Sequence, residues 1–321
     1  MINFATIFRQ WSRLGLGLLA FVLVATGCDA FIDQDLDDSN PQSPTIAGYV
    51  QEVPALSSLE GAVAEASLVG TLENGGPFTV FAPTNDAFSP AIDPSLNQEV
   101  VTKVVQHHVV DGRSEEDQLR TLANNDDTLS PIEGKDLSFQ IIDKDNEGAD
   151  TLKVNRAIIT NTNADATNGL MHVVDRLLAD AVDRATLTPR FTIFARLVKE
   201  EDLAGTLRDP GANDGRTIFA PTNEALLAAL DDDDNGEIES DEIPSDADDI
   251  LKYHVLDSVF LAADVPESET DVTTLEGSDV TVVRSGDAVT VNPGGEDASV
   301  TIPNVEVDNG VIHGIDAVLM P

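Results

Sequence analysis

The sequence contains two copies of one module, and this duplication constrains the fold more than any other feature. The repeated blocks are TVFAPTNDAF at residues 79–88 with TIFAPTNEAL at 217–226, QHHVV at 106–110 with KYHVL at 252–256, and NGLMHVVDRLL at 168–178 with NGVIHGIDAVL at 309–319. The first pair is identical at seven of ten positions, and all three blocks keep their order. The chain is therefore predicted to be a tandem pair of domains of about 135 residues each, not a short-period solenoid.

The order of patterns within each copy predicts the fold class. A short apolar strand ends at Ala-Pro, and Thr-Asn then precedes a segment rich in Ala and Leu, where Thr favours a helix start and the acids Asp86 and Glu224 suit its positive end. Later residues alternate between apolar and polar, in 137–155 and in 274–292 around the hairpin turn Ser285-Gly286-Asp287. Helices come early and antiparallel strands late, so each module is predicted to be α+β.

The repeated blocks resemble the fasciclin domain, also called FAS1. They match its T-x-F-A-P-T-N-x-A-F segment, its central Tyr-His pair and its N-G-x-I-H-x-I-D-x-V-L-x-P segment, over residues 45–180 and 185–321. The resemblance implies a wedge of about seven β-strands with several helices packed on it. The first copy departs twice: it has His107 where the family favours Tyr, and it lacks the closing proline that the second copy keeps as Pro321.

The N-terminal segment has a pattern that is typical of an export signal. Residues 1–27 contain no Asp or Glu, and Arg9 and Arg13 precede an apolar run that is too short to span a bilayer comfortably. The run ends in Val-Ala-Thr-Gly before Cys28, which resembles a bacterial lipobox, although Ala25 stands where Leu is usual. We expect a lipoprotein signal peptide over 1–27, with an ordinary secretory signal and an incidental cysteine as the alternative.

Cys28 is the only cysteine of the chain, so an intramolecular disulfide or a multi-cysteine metal site is excluded. In lipobox proteins this cysteine is acylated and becomes the first mature residue, and two or more acyl chains give stable membrane anchoring. Residues 28–44 are polar and contain two prolines, which predicts a flexible tether. The chain is therefore expected to be exported and held on the membrane through Cys28, at the cell surface or in the periplasm.

The charge excludes one class of partner. The chain has 58 Asp and Glu against 18 Lys and Arg, a formal charge of −40, which repels phosphates and argues against nucleic-acid binding. Such a surface fits a salt-rich habitat, where counterions screen self-repulsion, or simply an acidic exported protein.

The histidines are candidates for catalysis. All five fall in the repeated blocks, and Asp175 and Asp316 each follow a histidine by three residues. We interpret these pairs as structural, because the chain has no Gly-x-Ser-x-Gly, no Gly-rich phosphate loop, no zinc-type histidine spacing and no cysteine after Cys28. The sequence therefore predicts a protein that is not an enzyme.

One acidic segment, DDDDNGEIESDE at residues 231–242, is absent from the first copy. It meets every position of the EF-hand pattern D-x-[DN]-x-[DN]-G-x-I-x-x-x-E. Gly236 permits the sharp turn, and Ile238 is expected to anchor the loop to the core. The predicted ligands are Asp231, Asp233, Asn235, Glu237 through its carbonyl, Glu239 directly or through water, and Glu242 with two oxygens.

We therefore expect one structural Ca²⁺ site, with the extracellular affinity of about 10⁻⁴–10⁻³ M. The alternative is an acidic surface loop that matches by chance, but charge enrichment does not explain Gly236 and Ile238. Pro244 stands where the exit helix should continue, so that helix is expected to be short or to restart near Ser245.

The resemblance implies a non-catalytic function in adhesion to cells, matrix or surface polysaccharide. It suggests contacts through the Tyr-His segments, with Tyr253, His254, His107 and His108 as candidates, although these residues equally suit a core. The acidic surface disfavours acidic glycans unless calcium bridges the two, and it suits a basic partner. The alternative function is a structural envelope spacer or stress-related lipoprotein without a specific adhesive ligand.

Overall fold

The computed structural model describes residues 44–143, 150–213, 215–292 and 297–321. The expected signal peptide, the lipidation site Cys28 and all of the tether except Pro44 lie outside the described residues. Within the described ranges, no helix combines the length and apolar character that a membrane crossing requires.

Fourteen strands are present in the described residues, seven in each module. Those of the first module are β1 Phe78–Pro83, β2 Val109–Asp111, β3 Thr128–Leu129, β4 Leu137–Asp143, β5 Asp150–Val154, β6 Ala157–Ala166 and β7 Gly169–Val174. Those of the second module are β8 Arg216–Pro221, β9 Val255–Leu256, β10 Thr270–Thr273, β11 Asp279–Ser285, β12 Ala288–Asn292, β13 Ala298–Val307 and β14 Gly310–Ile315.

The two sheets have the same topology. Strand order is β2-β1-β7-β6-β5-β4-β3 in the first sheet and β9-β8-β14-β13-β12-β11-β10 in the second. The tandem α+β fold with seven strands per module is thus confirmed. The late strands are antiparallel as predicted, but the early strand of each module pairs in parallel with the last one, β1 with β7 and β8 with β14.

Each module also contains helices that precede or interrupt its strands along the chain. The first module has α1 Ile46–Glu52, α2 Ser57–Glu65, α3 Val69–Asn74, α4 Gln98–His107 and α5 Glu116–Asn125, and the second has α7 Thr192–Glu200, α8 Ala204–Arg208, α9 Asn223–Leu230 and α10 Ala247–Tyr253. Between them lies α6, Ala181–Leu187, so the residues between the two predicted domains begin a helix. Ala181, Val182 and Ala185 of α6 belong to the core cluster of the second module, which shows that this connection is packed.

The hairpin prediction in the second module is confirmed. Ser285 pairs with Ala288 across the two-residue turn, and Gly286 adopts a positive φ of 63° that suits its lack of a Cβ.

The helix predicted after Ala-Pro-Thr-Asn forms in only one copy. Thr222 caps α9 by accepting the N–H of Ala225 at 3.3 Å. In the first copy only a 3₁₀ turn forms at Asn85–Phe88, without a cap bond from Thr84. Pro90 follows in the first copy, and proline disfavours helical backbone at the residue before it, whereas the second copy continues with Ala and Leu.

Candidate functional site

The loop at residues 231–242 begins directly after α9 and brings three of its acids together. One carboxylate oxygen from each of Asp231, Asp233 and Glu242 lies within 4.8 Å of the other two. Oxygens that share one Ca²⁺ at about 2.3–2.6 Å are at most about 5 Å apart, so this spacing fits a common ion. The three residues are the first, third and last positions of the calcium pattern.

The backbone of the loop folds around Asp231. The Asp231 carboxylate accepts the N–H groups of Asn235 at 3.1 Å and Gly236 at 2.8 Å. Gly236 has a φ of 85°, and a side chain at this position would be strained, which is the role expected of the sixth residue. The N–H of Asn235 also donates to Asp233 at 3.2 Å, so the turn holds the carboxylates of Asp231 and Asp233 around the same amide.

The other predicted ligands are engaged within the loop. The side-chain oxygen of Asn235 accepts the N–H of Glu237 at 2.7 Å, and its amide donates to Glu239 at 2.7 Å. Glu242 accepts the N–H of Glu239 at 2.8 Å through one oxygen and the N–H of Asp232 at 2.8 Å through the other. The carboxylates of Glu237 and Glu239 are thus not part of the three-acid cluster, and the side-chain oxygen of Asn235 is engaged with the N–H of Glu237.

The carboxylates of Glu239 and Glu242 influence each other. Their mutual hydrogen bond raises the pKa of Glu239, whereas the backbone N–H of Glu239 leads the interactions that lower the pKa of Glu242. Both groups are exposed. The negative charges of Glu242 and Asp233 also raise the pKa of Glu239, since like charges disfavour ionisation.

The loop is fixed to the module at its eighth position. Ile238 is only 3% exposed and lies in the core cluster of the second module, as expected. Its carbonyl accepts a hydrogen bond from Arg196 of α7 at 3.0 Å. The exit helix restarts at Ala247 as α10, after Pro244, in agreement with the proline argument.

His108 and His254 connect a helix to the end of their module. In each ring Nδ1 donates to the carbonyl oxygen four residues earlier, at 2.7 Å and 2.8 Å. Nε2 accepts the backbone N–H of Leu178 or Leu319, both at 2.9 Å. These partners require the neutral ring, and burial lowers the pKa of both histidines to about 4.

His172 and His313 support an irregularity in a neighbouring strand. Nε2 of His172 donates to a loop carbonyl at 2.9 Å, and Nδ1 lies 3.4 Å from the N–H of Asn163, which has a φ of 60°. The corresponding bonds of His313 measure 2.8 Å and 3.2 Å, the latter to Asn304. Burial lowers the pKa of both rings. Their partners are backbone groups, as in the structural interpretation.

Asp175 and Asp316 also bind backbone. Each carboxylate accepts one N–H of an adjacent strand, from Ile158 at 2.7 Å and from Ser299 at 2.6 Å. Neither forms a dyad with the histidine that precedes it, so the duplicated His-Asp spacing reflects two separate structural bonds.

His107 and Tyr253 occupy equivalent positions but have different partners. The hydroxyl of Tyr253 donates to the carbonyl of Asp279 within its own module at 2.9 Å. Nε2 of His107 instead lies 3.1 Å from a carboxylate oxygen of Asp308 in the other module, and Nδ1 lies 3.3 Å from Glu133 without hydrogen-bond geometry. The departure of the first copy from tyrosine thus creates a contact between modules.

The four candidate adhesion residues are buried. Tyr253, His254 and His108 are each 1% exposed and His107 is 5% exposed. Their side chains are engaged inside the protein, so in this conformation they offer no surface to a partner. The structure places them in the core, which was the alternative interpretation.

A cluster of charges at the junction of the modules was not identified from the sequence. Asp180 caps α6 by accepting two backbone N–H groups, from Val182 at 3.0 Å and from Asp183 at 2.9 Å. Arg208 bonds both acids, at 3.0 Å and 2.9 Å, and Lys103 lies 2.6 Å from Asp183. Burial raises the pKa of Asp180, but the N–H of Asp183 and the charges of Arg208 and Lys103 outweigh it and lower the pKa.

Part of this cluster has a sequence signal. Asp180 and Asp183 have the spacing of a helix N-cap and an acid in the first turn. No local sequence pattern identifies the two cations, because Lys103 lies in α4 of the first module and Arg208 at the end of α8 in the second.

The profile of one protein family, described as the fasciclin domain, matches residues 54–180 and 189–321. Protein sll1483 of Synechocystis is 33% identical over 51% of this chain and 88% of its own length. Stabilin-2 of Mus musculus is 26% identical over 87% of this chain, which spans only 11% of Stabilin-2. Cell surface glycolipoprotein MPB83 of Mycobacterium bovis is 28% identical over 49% of this chain and 71% of its own length.

Proposed function

The chain belongs to the fasciclin domain family, and we propose that it is a membrane-anchored lipoprotein whose two modules bind other cells, matrix or surface polysaccharide. The observation that supports a binding function, and not catalysis, is the structural role of the histidines. All five rings are buried, and among the described residues none is hydrogen-bonded to a Ser, Thr or Cys side chain. A nucleophile activated by a histidine is therefore missing from this part of the chain.

The anchor is proposed from the sequence around Cys28, which ends an acid-free segment with an apolar run. MPB83, a relative over about half of the chain, carries the description of a cell surface glycolipoprotein in its name, which supports the same location here. The tether of residues 28–44 would hold the modules away from the membrane.

Calcium is proposed as a structural ligand of the loop at 231–242. The three-acid cluster of Asp231, Asp233 and Glu242, the positive φ of Gly236 and the buried anchor Ile238 support it. The ion would stiffen the loop and lower the local negative charge. Adhesion through the second module would then depend on calcium.

The test uses the full chain, purified in detergent and coupled to beads. We expect the beads to retain cells or extracted surface polysaccharide of the producing organism in 5–10 mM calcium, roughly the excess that the predicted affinity requires. Removal of calcium with a chelator should reduce retention, and an Asp231→Ala variant should lose the calcium dependence. An Asp232→Ala variant, altered at a position that is not a predicted ligand, is the matched control.

Absence of retention at every calcium concentration would contradict adhesion. If deletion of the gene then weakened the envelope, the spacer function would be supported instead.

A further inference from the structure

A cleft of about 310 Å³ lies where the first module meets the second, and it has the opposite charge balance to the rest of the protein. Five cations line it: Lys135, Lys153, Arg156, Arg176 and Arg208. Three acids do so: Asp136, Glu306 and Asp308. Acids outnumber Lys and Arg by 58 to 18 in the whole chain, whereas the cations outnumber the acids in this cleft. Such local concentration of positive charge attracts anions that the remaining surface repels.

Two of these cations hold the modules together. Arg176 pairs with Asp175 of its own module at 3.2 Å and with Glu306 of the second module. Arg208 is the partner of the buried Asp180 and Asp183 described above. Their charge is largely neutralised within the protein, so they shape the cleft more than they attract a ligand.

Lys135 and Lys153 do not form such ion pairs. Across the described residues, no carboxylate oxygen lies within 4.0 Å of the Nζ atom of either lysine. Lys135 is exposed in the turn before β4, and Lys153 is half-buried on β5. Lys135 acts on buried Asp180 at longer range and helps to lower its pKa, but within the described residues neither lysine forms an ion pair. Two positive charges therefore line this cleft without a direct acidic partner there.

The wall beside Lys153 carries neutral hydrogen-bonding groups. Gln140 of β4 lies opposite Lys153, and Ser138 bonds the side chain of Asn155 at 3.0 Å through its N–H. Because side chains alternate between the two faces of a strand, these four residues share one face of the β4–β5 pair, and all four line the cleft. The wall thus combines one cation with a hydroxyl and two amides.

The geometry points to a binding site for an acidic saccharide, a sugar unit that carries a carboxylate, with Lys135 and Lys153 as the contacts to the carboxylate. The hydroxyl and amide groups of Ser138, Gln140 and Asn155 suit sugar hydroxyls, and about 310 Å³ is at the lower end of small-ligand sites. Among the described residues no aromatic side chain lines the cleft, so a stacked nucleobase is disfavoured. The charge of −40 outside the cleft favours short saccharides of low charge density over long polyanions.

This inference rests on the proposed binding to surface polysaccharide and names its chemistry. It also differs from the calcium-bridged contact expected from the sequence, because the lysines would bind the carboxylate directly. The test is a calorimetric titration of the full chain in detergent with trigalacturonic acid, in a chelating buffer of low ionic strength. Calcium bridging is thereby excluded.

We expect the wild type to bind trigalacturonic acid but not the neutral trimer of galactose. A Lys135→Ala/Lys153→Ala variant should bind at least about 10-fold more weakly, since charge-assisted hydrogen bonds are the stronger ones. An Arg190→Ala/Lys252→Ala variant, with the same change in charge at cations outside the cleft, should stay within about twofold of wild type. A Lys135→Arg/Lys153→Arg variant should retain binding.

No binding by the wild type, equal binding by the Lys135→Ala/Lys153→Ala variant, or equal weakening by the two alanine variants would overturn this site. If cells are still retained in calcium, the proposed adhesion stands and only this ligand is wrong. Lysine-dependent binding of the trimer without retention of cells would support the cleft and contradict the adhesive function.

Discussion

The Nε2 atom of His254 accepts the backbone N–H of Leu319 at 2.9 Å and so ties the end of α10 to the last residues of the chain. The same bond joins His108 to Leu178 in the first module. A protonated ring cannot accept a hydrogen bond, so both connections require neutral histidine. In each module, protonation of this buried histidine therefore conflicts with the hydrogen bond that it accepts.

Acidification is expected to destabilise both modules through these histidines. Their folded-state pKa is about 4 because of burial, against an unfolded value of about 6.5. The unfolded chain binds protons first as the pH falls, so their contribution is complete above about pH 6.5 and is lost towards pH 4. The loss is on the order of 3 kcal/mol for each histidine, and the urea midpoint at several pH values measures it.

The control for this prediction is a His108→Gln/His254→Gln variant, which is less stable at neutral pH but has no imidazole to titrate at either site. Its urea midpoint should change less between pH 6.5 and pH 4.5 than that of the wild type. An identical pH slope in both proteins would contradict the assignment and point to His172, His313 or carboxylates instead.

Replacement of an arginine by methionine should have opposite effects on stability at two positions near α6, the half-exposed Arg208 and the buried Arg184. Arg208→Met removes the partner of the buried Asp180 and Asp183, and we expect a loss of roughly 2 kcal/mol because Lys103 remains beside them. Arg184 is 2% exposed, and burial lowers its pKa to about 10.

Among the described residues, the partner of Arg184 is the carbonyl of Pro90, and its Nη1 atom has no hydrogen bond. Arg184→Met should therefore be neutral or stabilising by up to about 2 kcal/mol. Equilibrium urea unfolding compares the two variants. An equal loss in both would show that the charge of Arg184 is satisfied in a way that its contacts do not indicate.

Calcium is expected to stabilise the second module. With an affinity of about 10⁻⁴–10⁻³ M, 10 mM calcium should add about 1.4–2.7 kcal/mol to its stability. A thermal scan with calcium and with a chelator measures the shift of the unfolding transition. Glu242→Gln, which keeps the shape of the side chain, should abolish most of the shift, and Asp232→Ala should preserve it. A shift of the same size in the Glu242→Gln variant would place calcium elsewhere.

Replacement of Cys28 should release the protein from the membrane. The wild type is expected in the membrane fraction with the added mass of acyl chains on its N-terminal cysteine, because two or more chains give stable anchoring. Cys28→Ser should be exported without these acyl chains and recovered in the soluble fraction. Mass spectrometry of the purified protein checks the modification directly. An unmodified Cys28 in the wild type would favour the ordinary secretory signal.

The sequence determined the features that depend on neighbouring residues. The repeated blocks predicted two modules of one α+β fold, alternation predicted the β11–β12 hairpin, and the spacing of residues 231–242 predicted a turn at Gly236 with Ile238 buried. Each of these properties depends on only a few neighbouring residues. Those residues set the backbone conformation and decide which side of a strand or helix is apolar.

The tertiary structure decided which of these residues reach a surface and which meet across the fold. His172 and His313 are buried on β7 and β14, which pair in parallel with β1 and β8. The other three motif histidines are buried where α4 and α10 end. The cations of the cleft and the pairing of Lys103 and Arg208 with Asp183 come together from segments tens of residues apart. Contacts between residues so far apart in sequence depend on how the strands and helices pack together. Short-range sequence patterns do not specify that packing.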